Sequence, residues 1–235
     1  MPPNQPPFPI LIFSKTSSYR HASIPTSISA LRALAASTHL FTADASEDAE
    51  AAITPSSLSR YAVVVLLQCT GAFLTPAQVS ALRGFVRAGG GIVGIHAAAA
   101  GMPLDAWYGA LIGAQFESHP EPQMGNVLVG DDAGHWILGG SGGGGRSGWM
   151  DEWYNFKSHP RGNAGLNVLL KGDAKSFTGG TMGEDHPLSW CQEFEGGRSF
   201  YTALGHFEEA YGDKWYMDQV FRGILWAARR ERDAD

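Results

Sequence analysis

The chain alternates between short, dense apolar runs and longer stretches in which apolar positions recur every three or four residues. In "PILIFSKTSSYRHASIP" the run Ile10 to Phe13 reads as a strand, and the polar residues after it read as a loop. Pro25 then opens a helix to about Ala36, with Ile28, Leu31 and Leu34 spaced along one face. "HLFTAD" reads as a second strand. "YAVVVLLQ" is apolar throughout, so both of its faces need cover, as in a central parallel strand. "LTPAQVSALRGFVRAGG" carries its own punctuation: Thr75 as cap, Pro76 at the first helical position, Gln78 to complete a capping box, Gly89 as the stop. Val79, Leu82, Phe85 and Val86 form its buried stripe. "GIVGIH" is the next strand. Strands alternating with helices predict a parallel sheet with helices on both sides.

The second half is less regular. "NVLVGD", "NVLLKG", "LSWCQEF" and "RSFYTALGH" read as strands, with Gly196-Gly197 turning a hairpin between the last two. From Asp213 onward the spacing predicts a helix with Met217, Val220, Phe221, Ile224 and Leu225 inward. Residues 139–148, "GGSGGGGRSG", hold seven glycines in ten positions, and ordering them costs so much entropy that a mobile loop is expected. That run lacks the Gly-Lys-Ser/Thr ending of a phosphate-binding loop. Residues 1–9 read as a proline-rich tail, and residues 1–235 as one domain.

Composition narrows the classes. With 235 residues, 44% hydrophobic and 17% charged, the chain can build one sizeable core. A net charge of -6 argues against nucleic acid, which demands a basic surface. No basic amphipathic stretch suggests a membrane partner, and the opening "MPPNQPPFPILIF" resembles neither a signal peptide nor a span. Cys69 and Cys191 read as free thiols in a reducing compartment, which makes the cytoplasm the expected location.

Ligands of open parallel sheets bind beyond the carboxyl ends of the strands. Tyr19, Arg20 and His21 follow the first strand, Cys69, Thr70 and Gly71 follow "YAVVVLLQ", and His96 ends "GIVGI". His206 follows "SFYTALG", with Glu208 and Glu209 close behind. Any one of these histidines alone would read as a structural residue; four strand ends delivering polar groups to one rim read as a site. "GGGIVGIHAAAAG" in particular has the form of a strand turning sharply into a helix, with His96 displayed to solvent at the corner where other α/β enzymes hold a nucleophile. Asp151 and Glu152 beside Trp153 and Tyr154, and Asp185 and His186 near Trp190 and Gln192, pair rings with hydrogen-bonding groups. Such pairs suit a sugar, whose C–H faces stack on rings. Ordinary core packing explains these rings equally well. No HExxH helix or paired CxxC is present, yet His96, His206 and a carboxylate could assemble a site for a divalent metal such as zinc.

"YRHASIP", "LTPAQVSALRGFVRAGGGIVGIHAA", "WYGALIGAQFESHP", "DEWYNF" and "MGEDHPLSWCQEFEGGRSFYTALGHFEEAY" together resemble the ThuA-like (trehalose utilisation) family, from about Ile10 to Ala228. The resemblance implies a flavodoxin-like three-layer α/β fold with a mainly parallel central sheet, related to class I glutamine amidotransferases. It also implies a role with trehalose, related disaccharides or 3-keto-glycosides. Amidotransferases carry a cysteine at the elbow, with a histidine and a glutamate near the chain end. Here the elbow holds His96, and "GHFEE" supplies His206 and Glu209. With no thiol at the elbow, acyl transfer through a thioester is not expected.

The leading reading is a hydrolase or lyase acting on a small sugar by acid/base chemistry. A neutral His96 at a helix N-terminus accepts a proton or binds a metal, and His206, oriented by Glu209, is its partner. Tyr19, Arg20, His21, Glu152, Tyr154, His186, Trp190 and Gln192 would bind the sugar. The alternative is a non-catalytic sugar-binding or sensing protein that keeps a degenerate amidotransferase-like cleft. Whether the chain forms a homo-oligomer is left open.

Overall fold

A computed structural model describes residues 5–139 and 144–234. The first half follows the hydrophobic pattern closely: β1 (Phe8–Phe13), α1 (Ile24–Thr38), β2 (Phe41–Ser46), the single turns α2 (Ala49–Ala52) and α3 (Pro55–Leu58), β3 (Val63–Leu67), α4 (Pro76–Arg87) and β4 (Gly91–Ile95). The strand begins at Phe8, so residues 8 and 9 belong to the sheet and not to a tail. In α4 the expected capping box forms: the Gln78 amide donates to Thr75 Oγ1 at 3.3 Å and the Thr75 amide to Gln78 Oε1 at 2.8 Å. Val79, Leu82, Phe85 and Val86 are its buried residues.

The second half contains α5 (Ala106–Ile112), β5 (Phe116–Ser118), β6 (Gln123–Val129), β7 (Arg146–Asp151), β8 (Asn155–Phe156), β9 (Asn167–Asp173), β10 (Asp185–Phe194), β11 (Gly197–Thr202) and α6 (Lys214–Ala227). Of the glycine run expected to be a mobile loop, residues 140–143 lie outside the described residues. Arg146 to Gly148 are the start of β7, because their backbone pairs with β6. The β10–β11 turn is Glu195-Gly196, one residue earlier than expected. Both have positive φ, 46° and 97°, which is the twist a two-residue hairpin turn requires.

Among the described residues the main sheet has nine strands in the order β2-β1-β3-β4-β11-β10-β9-β6-β7. The first five in that order are parallel, as the apolar runs predict, and the rest form an antiparallel extension. Helices cover both faces of the parallel part. A Cβ added to Gly91 would lie 2.4 Å from the Ala227 carbonyl oxygen of α6, whereas one on Gly94 would lie 3.1 Å from Ile112 of α5. The fold is therefore an α/β sandwich of three layers, flavodoxin-like in its parallel half.

One close approach gives a stability prediction. Gly223 of α6 sits against Phe200 of β11, where an added Cβ would come within 2.2 Å of the ring. Helix propensity alone would favour alanine by about 1 kcal/mol. Overpacking costs about 1–3 kcal/mol, and a contact this short belongs at the upper end. Gly223→Ala is therefore expected to lower the denaturation midpoint; an unchanged or raised midpoint would show that α6 can move off the sheet.

Candidate functional site

Because β1, β3, β4 and β11 are adjacent and parallel, their carboxyl ends share one edge. Two of these strands end in a non-glycine residue with positive φ: Gln68 after β3, at 51°, and His96 after β4, at 48°. Left-handed backbone at such residues costs on the order of 1–3 kcal/mol and persists only when surroundings enforce it. At His96 they do. Its Nδ1 lies 2.6 Å from the Ala203 carbonyl oxygen, and the Tyr201 hydroxyl donates to the His96 carbonyl at 2.9 Å. The elbow forms as expected, but His96 is fully buried and not displayed to solvent. At Gln68, the side-chain amide donates to Ser23 Oγ, the Gly205 carbonyl and the Tyr211 hydroxyl, tying together the loops that carry His21 and His206.

A carbonyl oxygen only accepts, so Nδ1 of His96 carries a proton and Nε2 is the working nitrogen. That Nε2 is 3.3 Å from Nδ1 of His206 and 2.9 Å from the Tyr154 hydroxyl. Oε2 of Glu152 is 3.2 Å from both His96 Nε2 and His206 Nδ1, while Oε1 is 3.4 Å from His119 Nε2. Burial alone would raise the Glu152 pKa, but hydrogen bonds from His206 and His96 outweigh it and hold the carboxyl well below the usual range. The carboxylate is thus ionised and shared by two imidazoles. His21 packs edge-on against both rings, at centroid distances of 4.9 Å to His96 and 5.1 Å to His206. Burial, with the other two imidazoles, pushes the His21 pKa down to about 3, so this ring stays neutral. His21, His96, Glu152 and His206 each offer a ligand-type atom, and all four atoms lie within 4.8 Å of one another.

Glu152 reaches this edge by an indirect route. It follows β7, four places from β11 in the sheet, which in a flat sheet with strands about 4.8 Å apart is a displacement on the order of 19 Å. Asp151, at the end of β7, nevertheless accepts the amide hydrogens of Gly205 at 2.9 Å and His206 at 3.1 Å. The antiparallel extension therefore curls back over the carboxyl edge. Asp151 also accepts from the Trp149 indole at 2.8 Å and from the Glu152 amide at 3.0 Å. One buried carboxylate fixes the backbone of both Glu152 and His206.

Above the cluster lies a cleft of about 470 Å³, lined by Tyr19, His21, Phe116, His119, Glu152 and Tyr154 among others. Tyr19 is 64% exposed at its mouth. Of the residues expected at the site, the structure brings together Tyr19, His21, His96, Glu152, Tyr154 and His206. Glu152 holds the central position, where Glu209 was expected.

The others lie elsewhere. Glu209 is exposed on the turn Glu208–Gly212, and the carboxylate beside His206 is Glu152. Arg20 is exposed and paired with Glu47, its Nη2 2.7 Å from Oε1. Trp190 is core, its indole donating to the Ile112 carbonyl at 2.7 Å. Gln192 donates to the Ala110 and Leu111 carbonyls, closing the end of α5. His186 is buried with Nε2 2.9 Å from the Tyr154 carbonyl, so it supports the backbone of a cleft residue without touching the cleft. Both cysteines are buried free thiols outside the cleft; burial pushes Cys191 up to about 12 and Cys69 higher still. His119 is the site residue the sequence reading lacks, because it sits inside the "FESHP" stretch without a role. Asp151, expected beside Trp153 and Tyr154 as a hydrogen-bonding group for a sugar, instead anchors backbone amides.

His186 carries a pH prediction. Burial pushes its pKa down to about 4, below the ordinary 6.5, so the unfolded chain binds its proton first as pH falls. The contribution of this neutral ring is complete above about pH 6.5 and is lost toward pH 4, by roughly 1 kcal/mol per pH unit in between. Urea midpoints should fall from neutral to about pH 5 more steeply for the wild type than for His186→Gln. Parallel slopes would show that this ring is not protonated on unfolding.

The family model described as "Trehalose utilisation" matches residues 9–227. Among solved structures, a ThuA-like protein from Bacteroides uniformis superposes with a TM-score of 0.77 at 22% identity, covering 95% of this chain and 92% of that one. A ThuA-like protein from Parabacteroides merdae gives 0.74 at 18% identity, covering 94% and 90%. A β-galactosidase from Rahnella sp. R3 gives 0.57 at 14% identity, covering 95% of this chain but 31% of its own. No curated protein matches the chain. Nearly the whole sequence fits the family model and the fold is that of its solved structures: the chain belongs to the ThuA family.

Proposed function

We propose that the protein is a hydrolase or lyase of carbohydrate metabolism acting on trehalose-like disaccharides or their 3-keto derivatives by acid/base chemistry. The observation that carries this reading is the ionised Glu152 held between His96 and His206 at the floor of a cleft. An anion shared by two imidazoles lets one of them give up a proton while the other takes one, with the charge on Glu152 compensating either. His206 is the partly exposed imidazole of the pair, and Glu152 is the member of the three that lines the cleft. His96, locked through Nδ1, holds its Nε2 in place for exchange with His206 and Tyr154.

On a 3-keto-glycoside the base would remove the proton on the carbon between the ketone and the glycosidic carbon. The electron pair then expels the glycosidic oxygen, which leaves with a proton from the conjugate acid. Tyr19 and Phe116 supply rings for a pyranose face, with His119 beside them in the cleft lining. The two free thiols suit a reducing, cytoplasmic setting.

Turnover tests this. The protein is incubated with trehalose, other disaccharides and their 3-keto forms, and products are read by mass spectrometry. Release of a monosaccharide from any of them is the expected result. Saturable sugar binding with no product would favour the non-catalytic sugar-binding reading, and neither binding nor product would remove carbohydrate from the site.

A further inference from the structure

We infer that His21, His96, Glu152 and His206 form a binding site for one divalent transition-metal ion of the zinc type. Their ligand-type atoms lie within 4.8 Å of one another. Three of them make a nearly equilateral triangle, with edges of 3.2, 3.2 and 3.3 Å between Glu152 Oε2, His206 Nδ1 and His96 Nε2. Ligands about 2.0–2.1 Å from a tetrahedral ion stand roughly 3.3–3.4 Å apart, so the triangle already has the spacing an ion requires once the Tyr154 hydroxyl turns away from His96 Nε2. Three imidazoles and one carboxylate are also a donor set for zinc and its neighbours, whereas magnesium and calcium prefer oxygen throughout.

Two independent observations point the same way. His21 is only 4% exposed, and its Nδ1 has no hydrogen-bond partner. A buried polar atom left unpaired costs about 1–3 kcal/mol, and no hydrogen bond at the site accounts for this one. Secondly, the supports are those that ligating groups require. The Nδ1–H of His96 is fixed on the Ala203 carbonyl, which turns the Nε2 lone pair, met here by the Tyr154 hydroxyl at 2.9 Å, toward the cluster, and Asp151 anchors the amides of Glu152 and His206. Hydrogen bonds alone account for the contacts of Glu152, but not for the unpaired His21.

The site stands on this geometry by itself. Its purpose rests on the function proposed above: His21 and Glu152 line the cleft, so an ion held there faces a sugar carbonyl or hydroxyl oxygen and can polarise it.

The test uses the full chain without a histidine tag, stripped with EDTA and titrated with zinc chloride by calorimetry. One ion per chain is expected, with a raised melting temperature on binding. His21→Ala and Glu152→Gln should each weaken binding by at least about tenfold while the circular dichroism stays that of the wild type. Should either variant misfold, the wild type decides: zinc that is not bound, or is bound at several weak sites, overturns the inference. Equal affinity in folded His21→Ala and wild type overturns it as well. Failure here is distinguishable from failure of the proposed function. Sugar turnover that survives EDTA unchanged rejects the metal and keeps the enzyme, whereas stoichiometric zinc with no sugar turned over keeps the metal and rejects the substrate class.

Discussion

Glu152→Gln is expected to slow sugar turnover by about 10²–10⁴-fold while leaving the fold intact, the range that follows loss of a general acid or base. The substitution changes little in volume. It removes the one negative charge set 3.2 Å from both His96 Nε2 and His206 Nδ1, and it replaces one accepting oxygen by an NH2 that only donates. Neither imidazole could then hold a proton against a compensating charge. His206→Ala should lose activity on the same scale, because it removes the imidazole whose Nδ1 lies 3.2 Å from the Glu152 carboxylate and 3.3 Å from His96 Nε2. Initial rates on the sugar identified by the turnover assay, with circular dichroism as the folding control, decide the matter. Wild-type rates in Glu152→Gln would take the carboxylate out of the chemistry and reduce the cluster to a structural device.

The largest stability effect is expected at Asp151, which touches no cleft. Its buried carboxylate accepts four N–H groups, from Trp149, Glu152, Gly205 and His206, at 2.8–3.1 Å. Asp151→Ala leaves all four donors without their partner. Each buried unpaired group costs about 1–3 kcal/mol and some will find water, so a loss of about 3–5 kcal/mol is expected. That is a large share of the 5–15 kcal/mol that holds a typical domain folded. Activity should fall too, because the same bonds join the end of β7 to the loop after β11. Urea unfolding of Asp151→Ala beside Glu152→Gln separates the two roles: the first should shift the midpoint strongly and the second little. A loss below about 1 kcal/mol for Asp151→Ala would mean the curl of the sheet is held by packing alone.

Much of this architecture is legible in the chain because its causes are local. The capping box at Thr75 and Gln78, the unbroken apolar run of β3 and the buried stripe of α4 follow from groups a few residues apart. So does the elbow: small residues around His96 allow a sharp turn, and its place at the end of a central strand puts it on the ligand-binding edge of a parallel sheet. Strand order does the same for His21 and His206, which follow β1 and β11, parallel strands of this edge on either side of β3 and β4.

What the chain does not display is which acid meets these histidines. Glu209, three residues from His206, is the near choice in sequence, but the turn Glu208–Gly212 carries it out to solvent. Glu152 arrives from the far edge strand only because the antiparallel extension curls, a property of nine strands packed together and not of any short window. The same holds for the aromatic and polar residues expected to grip a sugar. Trp190 and Gln192 bond carbonyls of α5 in the interior, whereas Tyr154 lines the cleft and hydrogen-bonds His96. Periodicity tells which residues leave water; which buried group faces which other is fixed by long-range packing, and the chemistry of this cleft is decided there.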